Sequence, residues 1–433
     1  PAGGAAVHDP RDAAARCGGW RGMVMAGLSL WLGMAVCWPY LSALALAVPS
    51  RGGERTRAAV LSVAELAWAI GWWLSRGMEA RDGMLLCPPV LLCLVVMVPR
   101  ARPCAWGWHE RIDAMVAQCV AGNAMAAMAA DDVDVTIALL GLGMLARVVP
   151  LSLRHGRGRG GWRIFHGGIT GLVMAQAGAL VLSPLGNGPL DGLGMVLLVA
   201  GLLGACGLFG ASLPTGRDDA MGIVSVAPVL YLLSGPVVSL DAHRAAMTLQ
   251  AMMIGVGCLM VWSAALSLRL GQGQEEGQAA PLSQGRVMLA WIGLAVAGVG
   301  AGGPVGVRAS VLALMAVCLS APLRPRSLPW PVLFRHIRAG LPPGMPFVAM
   351  MMTLVAVARI SVWGVIVLLP ALWLLLVAAQ ARGGHAPERS ARQMRSADGA
   401  MAPDVMARNA AGLALLVLLT GGVLVVAWHG GGQ

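Results

Sequence analysis

The chain has 433 residues, of which 58% are hydrophobic and only 12% are charged, and its mean hydropathy is +0.73. Soluble domains have roughly 25% charged residues, so this composition excludes an ordinary water-soluble protein and indicates one dissolved in lipid. The formal net charge of +11 comes entirely from arginine, because the sequence contains no lysine. These arginines lie in short segments between apolar runs, as membrane orientation produces, and not on one polar face as in a nucleic-acid-binding protein.

The polar segment 1–21 precedes the first long apolar run, which covers residues 22–48. That run exceeds the roughly 7 to 15 residues of a signal-peptide core and therefore predicts a first transmembrane helix. Apolar runs of the length that crosses a bilayer, about 17 to 25 residues, recur along the rest of the chain. They predict spans at residues 22–48, 58–75, 84–99, 114–130, 133–153, 164–183, 192–213, 220–239, 245–268, 287–302, 305–322, 330–358, 360–380 and 410–428.

These runs predict an all-α, polytopic integral membrane protein with about 12 to 14 transmembrane helices. The bundle covers residues 22–380 and contains one or two broken helices, because the stretch 330–358 is interrupted by proline. The polar segment 381–409 predicts a cytoplasmic linker or an amphipathic surface helix before the last span at 410–428. No soluble segment is long enough to hold an enzyme active site of its own.

Loop charge predicts the orientation of the bundle, because cytoplasmic loops carry an excess of arginine. The loop at 154–163 carries four arginines and is the strongest cytoplasmic anchor. Counting spans outward from it places the acidic turn at 131–134 and the uncharged turn at 184–190 on the outer side. The other loops that fall on the inner side carry Arg217, Arg269, Arg286, Arg324 and Arg326.

The nine cysteines and eight histidines form no metal-binding pattern. No C-x-x-C pair occurs, and no H-x-x-x-H or mixed Cys/His spacing places two ligands on one face of a helix. We therefore expect no metal, haem or other cofactor.

Ionisable and amide side chains inside the predicted spans are the candidate functional residues, because such groups are costly in hydrocarbon. Glu65 is the one carboxylate deep in an apolar run, and it either carries a proton or forms a structural ion pair with Arg147 or Arg308. Arginine keeps its proton at any ordinary pH and cannot carry one. The candidates for an intramembrane ion path are Glu65, Arg147, His166, Gln176, Gln250 and Arg308; we expect His166 at the interface and the glutamines in hydrogen bonds between helices.

Four successive segments carry a resemblance to a known family. Residues 139–151 (L-L-G-L-G-M-L-A-R-V-V-P-L) look like a helix that ends in K-A-G-x-x-P-F/L-H, and residues 171–182 (G-L-V-M-A-Q-A-G-A-L-V-L) like an M-V-K/T-A-G-V-Y-L helix. Residues 199–233 are similar to a small-residue helix followed by a D-x-K-R turn and an A-Y-S-S-x-S-Q-x-G-Y helix, and residues 245–266 to an N-H-A-x-x-K-A-L-L-F-L helix. Their order resembles the antiporter-like membrane subunits of respiratory complex I and of related multisubunit hydrogenases and cation antiporters.

The resemblance implies the fold of this family more than its activity. The family's lysines and glutamates, which move protons, correspond here to Leu145, Gln176 and either Gln250 or Gly255, none of which titrates. Glu65 is separated from Leu145 by one helix too many to match the family's helix glutamate. The family's G-L-P-P-x-x-G-F helix break corresponds by order to residues 303–306 (G-P-V-G) and by letters to residues 340–347 (G-L-P-P-G-M-P-F).

The leading hypothesis is a divergent antiporter-like subunit of a larger respiratory complex, of the NADH-quinone oxidoreductase or hydrogenase type. Such a subunit of the bacterial inner membrane is structural or has reduced proton translocation, and is itself non-catalytic. The alternatives are a stand-alone secondary transporter with its substrate site at a broken helix, and a membrane assembly or anchoring protein. The expected partners are other membrane subunits and the lipid bilayer, and not nucleic acid.

Overall fold

The computed structural model of the protein describes residues 30–48, 53–79, 81–97, 108–130, 132–154, 159–182, 190–206, 217–235, 243–270, 279–323, 331–384 and 410–420. Every regular element in these ranges is helical. The polar segment predicted at 1–21 lies outside the described residues. So does nearly all of segment 381–409, for which a linker or a surface helix is predicted.

Fifteen α-helices and two 3-10 helices make up the regular structure of these ranges. The 3-10 helices are Arg81–Leu86, directly before α3, and Arg217–Ser225, directly before α8. The α-helices are α1 (Leu30–Ala47), α2 (Glu54–Ser75), α3 (Cys87–Met97), α4 (Trp108–Ala129), α5 (Val133–Arg154), α6 (Arg159–Val181), α7 (Asp191–Ala205), α8 (Val226–Leu233), α9 (His243–Leu270), α10 (Ala279–Ala301), α11 (Gly303–Ser320), α12 (Pro331–Ala339), α13 (Met345–Ala358), α14 (Val362–Gly384) and α15 (Ala410–Thr420).

Five helical segments are long and apolar enough to cross a membrane by themselves: α1, α2, Glu110–Ala129 of α4, Thr248–Leu270 of α9, and α11. Shorter apolar segments lie in α6, α7, α10, α13, α14 and α15 and at the 3-10 helix that leads into α8. The chain is therefore all-helical, with the character of a polytopic membrane protein.

Two of the predicted spans differ from the observed helices because of proline. The spans at 84–99 and 220–239 each begin as a 3-10 helix, and their α-helical parts are only 11 and 8 residues long. Pro88 and Pro89 lie in the first turn of α3 and Pro228 in the first turn of α8, where a missing N–H costs least. Eleven residues extend about 16 Å, which is about half of the hydrocarbon core.

The pair α6 and α7 packs with its backbones in contact, because glycine lies at each crossing point. The position of a Cβ atom on Gly178 would be 2.6 Å from the carbonyl oxygen of Gly194, and one on Gly201 would be 2.6 Å from that of Gly171. Gly257 and Gly293 join α9 to α10 in the same manner. Small residues permit such close approach, which is a main source of helix association in lipid.

The two glycine-rich segments predicted as helix breaks have different structures. Within residues 299–306, a tight turn at Gly302 joins the antiparallel helices α10 and α11. Ser310 Oγ of α11 donates to the carbonyl oxygen of Ala295 in α10 at 2.7 Å. Gly302 and Gly303 both have φ +62°, which glycine adopts without strain. This segment is therefore a hairpin turn and not a break within one span.

Residues 340–344 interrupt the predicted span at 330–358 and separate α12 from α13. The indole N–H of Trp291 donates to the carbonyl oxygen of Arg338 at 3.1 Å, which fixes the end of α12 against α10. Trp291 lies about 15 Å along α10 from Ala301 at 1.5 Å per residue. The break therefore lies well inside the length of α10.

Contacts at the Glu54 end of α2 show the directions of the neighbouring helices α3 and α4. At one end, Arg111 of α4 pairs with Glu54, and Arg55 donates to the carbonyl oxygen of Met97 at 2.6 Å. These contacts make α4 parallel and α3 antiparallel to α2. The end that they mark is also the arginine-rich end, which loop charge predicts to be cytoplasmic.

Candidate functional site

Glu65 lies at the middle of α2 and is completely buried, with 0% of its surface exposed. At 1.5 Å per residue it is about 16 Å from the Glu54 end of the helix and about 15 Å from the Ser75 end. Neither of its carboxylate oxygens has a hydrogen-bond partner among the described residues. A carboxyl group is thus held at the depth of the bilayer centre without the donors that buried acceptors normally receive.

Ser62 joins polar side chains of α3 and α4 on the face of α2 that carries Glu65. Ser62 lies three residues before it on the same face of α2, the spacing at which side chains meet. Gln118 of α4 donates from Nε2 to Ser62 Oγ at 3.2 Å, and the Cys93 thiol of α3 donates to the carbonyl oxygen of Ser62 at 3.0 Å. Ser62, Glu65, Cys93 and Gln118 are all buried, and we call them the Glu65 cluster.

The predicted ion pair of Glu65 with Arg147 or Arg308 is not present. Arg147 is 6% exposed and packs against Gly222 in the 3-10 helix before α8. Arg308 is half-buried on α11, and its Nε has no hydrogen-bond acceptor in the ranges that the structure covers. Within the described part of the chain, Glu65 therefore has no arginine paired with its carboxylate.

The remaining predicted site residues do not converge on Glu65. His166 is exposed at the start of α6, where its ring meets that of Trp162 edge-on at 4.9 Å between centroids. Gln176 donates to Asp134 of α5 at 2.9 Å, and Gln250 lies half-buried beside the turn between α10 and α11. Arg147 and Arg308 lie on two further helices, α5 and α11, so these five residues belong to four helices.

A second buried carboxylate, that of Asp82, lies near the opposite end of α2 from Glu54. It is 1% exposed, accepts a hydrogen bond from Tyr231 Oη at 3.3 Å, and has Arg76 Nε 3.5 Å from its other oxygen. Arg81 stacks over the Tyr231 ring at 3.9 Å and donates to its carbonyl oxygen. These contacts attach the 3-10 helix before α3 to α8. Unlike Glu65, Asp82 has both a donor and a cation close to it.

Asp82 is expected to make the stability of the protein depend on pH. Burial raises the pKa of the Asp82 carboxyl, an effect that Arg76 offsets only in part. A folded pKa above the unfolded value means that the stability from the neutral form is present at low pH and is lost as pH rises. Asp82→Asn stays neutral, so its unfolding temperature relative to wild type should increase as the pH rises above about 4. Thermal unfolding in detergent measures this difference, and a constant difference across that range would contradict the expectation.

Sequence reasoning found Glu65 but missed Ser62, Cys93 and Gln118 as its neighbours. Two signals were present: Ser62 shares a helix face with Glu65, and Gln118 is an amide within the predicted span 114–130. The sequence alone does not show, however, that α2, α3 and α4 pack together near Glu65. Asp82 was missed because it lies in a short segment between two predicted spans.

The described residues include no group of three or more histidine, cysteine, aspartate or glutamate side chains placed to hold a metal ion. A carboxyl group such as that of Glu65 can bind and release one proton. No protein-family model matches the chain, and comparison with curated proteins finds no match either.

Proposed function

We propose that this chain is a multi-pass protein of the bacterial inner membrane and a divergent, antiporter-like subunit of a larger respiratory-type complex. In this proposal the bundle has 12 to 14 spans, several of them completed by 3-10 or broken helices, and its proton movement is reduced to one exchanging carboxyl, that of Glu65. The subunit contributes membrane scaffold and ion exchange, and the redox chemistry belongs to its partners.

The observation that carries this proposal is the unpartnered carboxyl of Glu65 at mid-span. An isolated ionised carboxylate is very costly in a low-dielectric interior, so such a group is held neutral by a proton or is neutralised by a cation. A purely structural role would provide an arginine or several N–H donors, as Asp82 has. Intramembrane carboxyls that lack such partners are characteristic of ion and proton pathways.

The other positions that correspond to the family's proton carriers support a partial role. Leu145 is 46% exposed on the outside of α5, facing lipid or another subunit, and Gln176 is occupied by its bond to Asp134. Neither side chain titrates, so this chain has no second carrier at these positions. A complete path for protons then requires groups from neighbouring subunits.

Purification from native membranes tests the assignment to a complex. In a mild detergent the chain should elute with other multi-pass membrane proteins, identified by mass spectrometry of the peak. Elution as a single monodisperse chain, with no associated membrane protein, would contradict the assignment to a complex.

The break between α12 and α13 favours a second candidate function, a stand-alone secondary transporter. Such transporters bind solutes where a discontinuous helix lies inside the membrane. Here α13 is 14 residues long and begins after the turn at residues 340–344. This function predicts that the purified single chain binds a solute. The substitution Arg338→Leu, at the last charged residue before the break, should weaken that binding.

A further inference from the structure

Two cysteines on different helices lie with their side chains in contact. Cys87 is the first residue of α3 and Cys318 lies near the end of α11, and their thiol groups are hydrogen-bonded to each other. Both are free cysteines, and each is only 1% exposed. The bundle therefore contains a dithiol, in which two thiols are close enough to react with each other.

A second contact between the same two segments shows that packing fixes this arrangement. A Cβ atom on Gly83, in the 3-10 helix before α3, would be 3.0 Å from Cγ1 of Val311 on α11. The chain advances roughly 8 Å from Gly83 to Cys87 as 3-10 helix. It advances roughly 10 Å from Val311 to Cys318 along one face of α11. The two segments therefore run parallel and bring the two cysteines to the same level.

A disulfide bond suits these surroundings better than a charged or metal-bound form of the thiols. A disulfide is neutral and needs no hydrogen-bond donor, whereas a thiolate is costly in an apolar interior. The sulfurs would approach from contact to about 2.05 Å, and each cysteine has one side-chain torsion with which to do so. Zinc takes four ligands, and the described residues include no group of three or more metal-binding side chains.

Cys87 is the thiol that a reagent should reach first. It lies where the 3-10 helix Arg81–Leu86 ends, and Pro88 and Pro89 follow it directly. The prolines lack a backbone N–H, and 3-10 hydrogen bonds have poorer geometry than α-helical ones, so few strong bonds hold this junction. Local opening at such a junction needs less free energy than unfolding of the bundle. Cys318, in contrast, lies within the continuous helix α11.

We propose that Cys87 and Cys318 are a redox-active pair, which low-molecular-weight disulfides convert into a disulfide bond between α3 and α11. In the first step the Cys87 thiolate attacks one sulfur of the reagent, which forms a mixed disulfide and releases one reagent thiol with the proton that Cys87 has lost. In the second step the Cys318 sulfur attacks the Cys87 sulfur, and the second reagent thiol leaves with the Cys318 proton. The two cysteines are oxidised by two electrons, and one reagent disulfide is reduced to two thiols. This pair does not depend on the proposed function.

Oxidation of the purified protein in lipid nanodiscs tests the pair. The reagent is dithiodipyridine, an apolar aromatic disulfide that enters the bilayer. Digestion without reduction, followed by mass spectrometry, should find the peptide of Cys87 joined to that of Cys318. The exposed Cys37 shows that the reagent is active. If Cys37 is modified while Cys87 and Cys318 stay reduced, or carry one pyridyl group each, the proposal is overturned.

Two variants distinguish a reacting pair from two independent thiols. Cys318→Ala blocks the second step, so Cys87 should keep its pyridyl group after the free reagent is removed. Cys93→Ala is the matched control, because it removes another buried cysteine of α3, whose thiol donates to the carbonyl oxygen of Ser62. It should form the Cys87–Cys318 bond as wild type does. An unmodified Cys87 in the first variant, or a missing bond in the second, would contradict the proposal.

The disulfide should also stabilise the fold. It closes a loop that extends from α3 to α11, and a cross-link restricts the unfolded chain more when the loop is long. The oxidised protein should unfold about 2 °C or more above the reduced protein, and dithiothreitol should reverse the rise. Cys318→Ala treated with the same reagent should show no rise. A rise of equal size in that variant would contradict a bond between Cys87 and Cys318.

Discussion

Replacing Glu65 with Gln is expected to abolish proton movement by this protein while leaving its fold intact. The amide has nearly the same shape as the carboxyl but cannot take up or release a proton. Removal of a proton-transferring group typically slows a reaction by on the order of 100-fold or more. The fold should be retained, because no ion pair or hydrogen bond of the Glu65 carboxylate is lost.

Proton flux into vesicles that contain the purified complex, followed with a pH-sensitive dye, measures this effect. Glu54→Gln is the matched control, since it makes the same change on the same helix at a carboxyl that pairs with Arg111 near the helix end. Both side chains of this pair are largely buried, so the control should cost about 3 kcal/mol of stability or more, and it should keep its proton flux. Wild-type flux in the Glu65→Gln protein would remove Glu65 from any carrier role.

Replacing Gly201 with Ala is expected to destabilise the α6–α7 pair severely, although it adds only one methyl group. The added Cβ would lie 2.6 Å from the carbonyl oxygen of Gly171 and closer still to the backbone nitrogen of Ala175, so two helix backbones would have to separate. Ordinary overpacking costs 1–3 kcal/mol, and a clash with backbone atoms should cost about 3 kcal/mol or more. Thermal unfolding in detergent and the yield of monodisperse protein measure the loss.

Gly255→Ala on α9 is the control for that substitution. Nothing lies within 4 Å of the position that its Cβ would occupy, and the residue is exposed. Alanine in place of an unhindered helical glycine should stabilise the protein by about 0.5–1 kcal/mol. Equal effects of the two substitutions would mean that α6 and α7 are not in backbone contact.

The all-helical fold and the position of Glu65 in the middle of a long apolar helix could be predicted from the sequence, because both depend on local composition. A run of apolar residues around one carboxylate is sufficient to place that carboxylate far from either membrane surface. The polar residues near Glu65 could not be predicted in this way. They come from three helices, and which helices touch depends on packing that single-helix patterns do not encode.

The lengths of several helices could not be predicted from local sequence patterns either. The stretches at 84–99 and 220–239 are apolar throughout, but Pro88, Pro89 and Pro228 delay the start of the α-helix and leave a 3-10 segment before it. The glycine-rich sequence of two segments did not show which is a turn between helices and which is a break within a span. Residues 299–306 contain a turn between two helices, and residues 340–344 interrupt a predicted span. The difference depends on which helices pack on either side, and only the structure shows it.

The ion pair predicted for Glu65 was wrong because charge complementarity in the sequence does not require proximity. Arg147 and Arg308 are the obvious cations within predicted spans, yet they lie on helices α5 and α11, and neither pairs with the Glu65 carboxylate. The same reasoning missed Asp82, whose partners Arg76 and Tyr231 lie on the neighbouring turn and on α8.

Infrared spectroscopy of the Glu65 carboxyl tests the central claim most directly. In membranes at neutral pH, the spectrum of wild type minus that of Glu65→Gln should contain the carbonyl band of a protonated carboxyl group in apolar surroundings. That band should shift on transfer to heavy water, as exchange with the aqueous phase requires. A difference spectrum that contains only carboxylate bands would show that Glu65 is ionised and paired, and would contradict the account.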